Sequence, residues 1–221
     1  MAVIVVGGHT RNIGKTSVVA GLIAALSEMR WTAVKITQYG HGICSANGEA
    51  CDCATADHMI AVSEERQRDS GTDSSRYLAA GAEHSFWVRT QQGELHEAMP
   101  KVRRLVAAAE NVIIESNSVL RFLKPDLALS VLDPSVQDFK PSALRFLDRV
   151  DALIMPASAA LPDMAGRAPW NGVSAQLVAR KRRLYFEAPV YFTPEMAAFV
   201  QDHLARVQPQ GAGQITQAPV G

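Results

Sequence analysis

The chain has 221 residues, of which 48% are hydrophobic, and its 22 basic and 22 acidic side chains give a formal net charge of zero. This size allows one well-buried core, so we expect a single domain over residues 1–207. A neutral chain lacks the global positive field that holds nucleic acid or an anionic membrane, and we expect neither as a partner.

The first residues and the cysteines predict a cytoplasmic protein. The apolar start at residues 2–6 has no basic segment before it and reaches glycine at Gly7, and no apolar run approaches the ~20 residues that span a bilayer. Three cysteines, an odd number, do not suggest a disulfide framework.

The predicted elements alternate between strands and helices. Residues 2–7 form a valine-rich apolar run, typical of a strand buried on both faces of a parallel sheet. Apolar residues at helical spacing follow from Lys15 to Met29. Later strands are predicted at 32–37, 85–90, 111–115, 127–132, 152–155 and 184–186, and later helices at 58–67, 73–82, 94–110, 142–149, 173–182 and 195–207. This alternation predicts a three-layer α/β fold with a doubly wound, mainly parallel sheet.

Two segments stand apart from this pattern. Residues 156–172 form a loop rich in Pro and Gly, for which the sequence indicates no role. Residues 208–221 consist mainly of Gln, Pro, Gly and Ala, a composition that buries too little apolar surface to fold. We therefore expect a disordered tail after residue 207.

The segment after the first strand, GGHTRNIGKTS at residues 7–17, ends like a phosphate-binding loop. Glycine at position 14 permits the close backbone approach with which N–H groups wrap a phosphate. Lys15 can reach the β- and γ-phosphate oxygens, and Thr16 can offer its hydroxyl to Mg²⁺. The predicted nucleotide-binding residues are Gly8, Asn12, Ile13, Gly14, Lys15, Thr16 and Ser17. The side chains of His9 and Arg11, within the same loop, are expected to point outward. The Asn-Lys-x-Asp motif by which many GTPases recognise guanine is absent, so the sequence leaves both ATP and GTP open as the nucleotide.

Five residues separate Gly8 from Gly14, one more than in the common pattern. This longer loop resembles that of dethiobiotin synthetases and cobyrinic acid amidotransferase-type enzymes, in the P-loop group that includes the MinD/ParA ATPases. The segment GTDSSRYLAAGA at residues 71–82 resembles a helix of MobB proteins of molybdopterin guanine dinucleotide biosynthesis. The MobB loop is one residue shorter, and ParA-type proteins carry a second lysine where this chain has Thr10. The resemblances imply a P-loop NTPase fold and a homodimer.

Carboxylates that hold Mg²⁺ are expected beside the loop. Glu115 ends the apolar run NVIIE and stands where the resembling families have Glu-Gly. A second carboxylate is expected after the second strand, where Asp52 and Asp57 both qualify; Asp57 is preferred because it lies nearer the next helix. Asp73 has the pattern of a helix N-cap instead.

Lys35 lies near the end of the second predicted strand, where the resembling group commonly has a lysine. The carboxyl end of a parallel strand beside a phosphate-binding loop is where anionic ligands bind. The predicted catalytic residues are Lys15, Thr16, Lys35 and Glu115.

The loop after the second strand concentrates possible metal ligands. Three thiols and two imidazoles lie within eighteen residues, and their polar neighbours argue against core packing. These side chains are His41, Cys44, Cys51, Cys53 and His58. They are enough to complete a tetrahedral zinc site, although Cys-x-Cys is not the spacing of a zinc knuckle. A redox or iron–sulfur role and a coincidental cluster are the alternatives.

Three functions are consistent with these features. The first is an Mg²⁺-dependent NTPase, or an NTP-dependent phosphotransferase or ligase that resembles dethiobiotin synthetase and acts on an unidentified small molecule. The second is a MobB-like accessory protein, in which the nucleotide controls docking to a partner protein. The third is a metal-handling NTPase switch that uses the cysteine loop. All three require a bound nucleotide and Mg²⁺.

Overall fold

The computed structural model describes residues 1–40, 60–160 and 170–207, which form an eight-stranded sheet. The strands are β1 (Val3–Gly8), β2 (Trp31–Tyr39), β3 (Ile60–Glu65), β4 (His84–Gln91), β5 (Asn111–Glu115), β6 (Leu127–Val131), β7 (Ala152–Pro156) and β8 (Arg182–Phe186). Their order across the sheet is β3-β4-β2-β5-β1-β6-β7-β8. All neighbouring strands are parallel except β3, which runs antiparallel to β4.

Helices connect the strands. They are α1 (Lys15–Ala25), α2 (Asp73–Ala79), α3 (Leu95–Ala108), α4 (Pro141–Phe146), α5 (Ala175–Arg180) and α6 (Pro194–Val207). Short 3₁₀ turns occur at Ser27–Met29, Ser118–Arg121, Leu147–Arg149 and Ala157–Ala160. Within the described parts of the chain, no helix has the length and apolar character needed to cross a membrane.

Side chains of β1 alternate between the two faces of the sheet. Ile4 and Val6 belong to a core with α1, α2 and α6, whereas Val3 and Val5 belong to a second core with α3. A strand that is buried on both faces reads as a continuous apolar run, and this is what residues 2–7 show. The expected three-layer α/β architecture with a doubly wound, mainly parallel sheet is confirmed.

The predicted helix over residues 58–67 is wrong. Residues 60–65 form β3, an edge strand whose residues pair with β4 from Ile60 opposite Thr90 to Glu65 opposite Ser85. The segment is too short for its periodicity to separate a helix from a strand, and pairing with β4 satisfies its backbone groups. Pairing with a distant strand therefore decided its conformation.

Several predicted helices end earlier than expected. The helix predicted at 73–82 ends at Ala79, and Gly81 follows with φ of +107°, a left-handed conformation typical of a helix end. The helix predicted at 15–29 ends at Ala25 and gives way to a 3₁₀ turn. These differences leave the order of elements unchanged.

Leu22→Ala tests the core under the phosphate-binding loop. Leu22 on α1 is fully buried, so its truncation should lower the free energy of unfolding by about 2–5 kcal/mol, measured by urea denaturation. Leu144→Ala is the matched control, because Leu144 on α4 is 39% exposed and should lose less than about 1 kcal/mol. Equal losses in the two variants would contradict the described packing of α1.

Candidate functional site

A cavity of about 500 Å³ lies at the carboxyl ends of β1, β2 and β5. Ligands of open α/β sheets bind outside this edge of the sheet. Its lining residues are Arg11, Asn12, Gly14, Lys15, Thr16, Ser17, Lys35, Ile36, Thr37, Gln38, Asp73, Arg76, Glu115, Lys140 and Tyr191. Of the residues predicted to bind the nucleotide or act in catalysis, the cavity is lined by Asn12, Gly14, Lys15, Thr16, Ser17, Lys35 and Glu115.

The loop between β1 and α1 enters the helix through a left-handed turn. Gly14 has φ of +90° and Asn12 has φ of +57°. Gly14 is the N-cap of α1 and carries no capping side chain, so the first N–H groups of the helix are left for other partners. A Cβ atom at position 14 would lie 2.0 Å from the Tyr191 ring, which packs against the loop there. This position requires glycine for its dihedral angles and for the contact.

Asn117 connects the start of the loop to the segment after β5 by two hydrogen bonds. Its Oδ1 accepts a hydrogen bond from the Gly8 N–H at 2.9 Å, and its Nδ2 donates to the Gly8 carbonyl at 2.8 Å. A Cβ atom at Gly7 would lie 2.2 Å from the Asn117 Oδ1. The sequence analysis missed Asn117, because nothing in a single asparagine after a strand indicates this pairing.

Glu115 is the central acceptor of the site. The Thr16 hydroxyl donates to its Oε2 at 2.9 Å, and the Tyr77 hydroxyl donates to the same oxygen. Burial, followed by the nearby charge of Glu115, raises the pKa of Tyr77 well above its ordinary value, so the phenol keeps its proton and remains a donor. Glu115 is 5% exposed, and its partners hold it in a fixed orientation.

Lys35 joins two carboxylates. Its Nζ donates to the Glu115 Oε1 at 3.0 Å and to the Asp73 carboxylate. Burial alone would raise the pKa of Asp73, but the hydrogen bond and charge of Lys35 outweigh it, and the pKa lies below its usual range. Asp73 is therefore negatively charged at neutral pH.

The Lys15 side chain turns back from the start of α1 into the loop between β1 and α1. Its Nζ donates to the Thr10 carbonyl at 2.5 Å. Burial lowers the pKa of Lys15 to about 8; the charge of Glu115 opposes this effect, while Lys140 and Lys35 add to it. At pH 7 the amine is still mainly protonated, and a bound anion would stabilise that charge further.

The His9 ring holds the loop against the segment that follows β6. Its Nδ1–H donates to the Asp138 carbonyl at 2.7 Å, and its Nε2 accepts from the Asp133 N–H at 3.0 Å. The fully buried ring contacts Phe139 and Trp170 at centroid distances of 5.2 and 5.1 Å. Its backbone carbonyl accepts from the Lys140 N–H at 2.8 Å. The expectation that side chains of this loop point outward is wrong for His9.

The structure brings together the four predicted catalytic residues, Lys15, Thr16, Lys35 and Glu115, at one end of the cavity. Gly8 contacts this group, since a Cβ atom there would lie 2.8 Å from the Lys15 side chain. Ile13 is 3% exposed and packs in the core, which leaves only its backbone for a ligand. That Lys15, Thr16, Lys35 and Glu115 are catalytic residues stays a prediction.

Asp73 is corrected from a helix N-cap to a residue that lines the cavity. The N-cap of α2 is Thr72, whose hydroxyl oxygen accepts from the Ser75 N–H at 3.1 Å. Because Asp73 is the first helical residue, its side chain is free to pair with Lys35. Arg76, one turn later, donates to the Ser17 hydroxyl at 2.9 Å. Arg76 and Tyr77 lie in the MobB-like segment 71–82 but were not singled out there, and no motif covers Lys140 or Tyr191.

Some predicted ligands cannot be placed. Asp57, His41, Cys44, Cys51 and Cys53 lie outside the described residues. Across residues 1–40, 60–160 and 170–207, no group of three or more His, Cys, Asp or Glu side chains is arranged to hold a metal ion. Asp133 does not line the cavity; its Oδ1 accepts hydrogen bonds from the Ser135 N–H and hydroxyl.

Comparison with protein-family models gives no match, and comparison with curated proteins gives none either. Among solved structures, HypB from Helicobacter pylori in complex with nickel is similar at 13% identity and a TM-score of 0.48, over 95% of this chain and 91% of that one. LpxK from Aquifex aeolicus in complex with ATP matches at 17% identity and a TM-score of 0.44, over 83% of this chain and 53% of that one.

The signal recognition particle 54 kDa protein from Aeropyrum pernix K1 in complex with GDP matches at 15% identity and a TM-score of 0.39. The match covers 93% of this chain and 49% of that one. This chain therefore spans about half of the length of two of the three structures. The chain itself has a doubly wound, mainly parallel α/β fold in which β1 leads through a left-handed glycine turn into α1.

The buried His9 predicts a loss of stability in acid. Burial lowers the pKa of His9 from 6.5, more than its hydrogen bond to the Asp138 carbonyl raises it. The folded state then binds this proton less readily than the unfolded state, so the stabilisation is present above about pH 6.5 and is lost as the pH falls through the lower value. Urea unfolding at pH 8 and pH 5 should show a smaller difference for His9→Gln than for the unmodified protein.

His96→Gln is the control for this experiment, because His96 is exposed on α3 and undergoes the same imidazole-to-amide change. It should alter the difference between pH 8 and pH 5 less than His9→Gln does. An unchanged pH dependence in His9→Gln would contradict a neutral His9 in the folded protein.

Proposed function

We propose that this protein binds a nucleoside triphosphate with Mg²⁺ and hydrolyses or transfers its terminal phosphoryl group. The observation that carries the proposal is the contact between the Thr16 hydroxyl and the Glu115 carboxylate at 2.9 Å, beside Lys15 and Lys35. A hydroxyl from the phosphate-binding loop and a carboxylate from a neighbouring strand are the protein ligands that such sites give to Mg²⁺.

The distance between these two oxygens suits a shared magnesium ion. Mg²⁺ binds oxygen ligands at about 2.0–2.1 Å in an octahedron, so two adjacent ligands lie about 3 Å apart. The Thr16 Oγ1 and the Glu115 Oε2 already have this separation. The Tyr77 hydroxyl fixes the same carboxylate from within the core. Among the described carboxylates, Asp73 lines the same cavity and pairs with Lys35, and we propose it as a further ligand, directly or through water. Asp57, which lies outside the described residues, stays a candidate for the same role.

The charges of the site suit a triphosphate that carries this ion. The cations Lys15 and Lys35 balance the carboxylates Asp73 and Glu115. Asp73 and Glu115 would hold the ion, which would leave the Lys35 amine able to contact the terminal phosphate instead of these carboxylates. The Lys15 amine, which contacts the Thr10 carbonyl, would contact phosphate oxygens in the same way. Both amines then stabilise charge that develops on the transferred group, which is the main way in which proteins catalyse phosphoryl transfer.

The longer loop favours a dethiobiotin-synthetase-like enzyme, in which Lys35 also steadies a small-molecule acceptor. A MobB-like accessory protein is the second candidate, and α2 favours it. Asp73, Arg76 and Tyr77 all lie on α2 and contact Lys35, Ser17 and Glu115 respectively. A change in the bound phosphates would therefore change the position of α2, and a partner protein could bind one position of this helix in preference to the other.

Turnover rates separate these two candidates. A steady-state rate that rises with a small-molecule acceptor supports the enzyme, and a slow rate that rises only with a protein partner supports the accessory role. Either role is proposed for a homodimer, which sedimentation of the pure protein tests.

The cysteine loop is further proposed to bind zinc or an iron–sulfur centre. Metal analysis of the unmodified protein and of Cys51→Ser tests this, and absence of stoichiometric metal from both proteins refutes it.

Lys15→Ala tests nucleotide binding. Loss of the amine removes a charge-assisted contact to the phosphates, so the affinity for both ATP and GTP in the presence of Mg²⁺ should fall at least about tenfold, measured by isothermal titration calorimetry. Lys101→Ala removes an exposed lysine from α3 and should bind as the unmodified protein does. Unchanged affinity in Lys15→Ala would place the nucleotide elsewhere.

Glu115→Gln tests the metal site while it keeps the shape of the side chain. The amide cannot replace a carboxylate as a magnesium ligand, so the gain in nucleotide affinity on adding Mg²⁺ should be largely lost, and hydrolysis should fall about 10²-fold or more. Glu97→Gln, at an exposed position on α3, is the control. Thermal unfolding of both variants shows whether they fold. Magnesium dependence that survives in folded Glu115→Gln would refute the assignment.

A further inference from the structure

The cavity holds two cations that the proposed nucleotide chemistry does not use. Arg11 lies in the loop between β1 and α1, and Lys140 lies at the end of the segment that joins β6 to α4. Among the described residues, neither side chain forms an ion pair with an acidic side chain. The other cationic side chains of the cavity, by contrast, have hydrogen-bonding partners: Lys15, Lys35 and Arg76.

Lys140 lies on the side of the loop away from the proposed metal ligands. Glu115 and Lys35 come from β5 and β2, on one side of β1, whereas Lys140 follows β6, on its other side. The two carboxylates of the cavity, Asp73 and Glu115, are both engaged by Lys35. Because five cationic and two acidic side chains line the cavity, it carries an excess of positive charge.

The backbone around Lys140 is held rigidly against the loop. The Lys140 N–H donates to the His9 carbonyl at 2.8 Å, the Asp138 carboxylate accepts from the Thr10 hydroxyl, and the His9 ring packs on Phe139. Lys140 is followed by Pro141, the first residue of α4, which fixes the backbone there. The backbone from which the Lys140 side chain extends is thus fixed before any ligand arrives, which lowers part of the ordering cost of binding one.

Lys140 and Arg11 also repel each other. Burial lowers the pKa of Lys140, and the charge of Arg11 lowers it further. The charges of Asp138 and Glu115 oppose this effect in part, but among the described residues neither cation forms an ion pair with them. An anion that lies between Arg11 and Lys140 would lower the cost of the repulsion that is left.

From this arrangement we propose that Arg11 and Lys140 bind an oxyanion group, phosphate or carboxylate, of a second ligand that occupies the cavity together with the nucleotide. The inference rests on the proposed function, since it places this ligand beside a bound triphosphate. Arg11 offers a planar fork that suits two oxygens, and Lys140 offers a point charge. The second ligand is accordingly an anionic molecule rather than a neutral or cationic one.

The test uses the full chain saturated with Mg²⁺ and a non-hydrolysable ATP or GTP analogue, so that the phosphate positions of the nucleotide are filled. Inorganic phosphate and succinate are then titrated separately, with binding followed by calorimetry. We expect at least one of the two anions to bind, and the one that binds identifies a phosphate or a dicarboxylate ligand. Arg11→Ala and Lys140→Ala should each weaken this binding about tenfold, with at most about a threefold change in affinity for the analogue.

Lys101→Ala controls for the loss of one positive charge and should leave anion binding unchanged. The inference is wrong if the loaded protein binds neither anion, or if Lys101→Ala weakens binding as much as Lys140→Ala does. It is also wrong if Arg11→Ala and Lys140→Ala weaken binding of the analogue as much as binding of the anion, because the cations then serve the nucleotide. Failure of the unmodified protein to bind the analogue would refute the proposed function instead.

Discussion

The buried carboxylate of Glu115 is the interaction on which the rest of the site depends. It accepts hydrogen bonds from Thr16 at the start of α1, from Tyr77 on α2 and from Lys35 on β2. A buried negative charge is tolerated only when such partners surround it, and each partner is in turn positioned by the charge. Three elements that are distant in sequence are therefore held in one arrangement around a single side chain.

Much of this arrangement follows from local sequence signals. The apolar run before the loop, the glycine at position 14 and the periodic residues of α1 predict the strand, the turn and the helix by mechanisms that act within about twenty residues. Glu115 was predicted because it ends an apolar strand, and Lys35 because it lies near the end of a predicted strand, where the resembling group has a lysine. Their meeting also required the strand order, since β2 and β5 are neighbours and these two residues are opposite each other in the register.

The parts that the sequence did not predict depend on contacts between distant segments. Asp73 looked like a cap because Gly-Thr-Asp-Ser-Ser permits either Thr72 or Asp73 to end the loop, and only the position of Lys35 decides between them. His9 looked like a solvent-exposed loop residue because its partners, Asp133, Asp138 and Trp170, lie more than a hundred residues away. Residues 60–65 formed a strand because β4 was available to pair with them.

The two hydrogen bonds between Asn117 and Gly8 have a consequence for the order in which the site forms during synthesis. The two residues are 109 positions apart, and Asn117 supplies both hydrogen bonds that hold the start of the loop. Thr16 likewise meets Glu115 across 99 positions. The glycine-rich segment thus lacks these supports until the 109 positions up to Asn117 have been synthesised. The loop is translated before Glu115 and Asn117, yet as a binding site it is completed only after them.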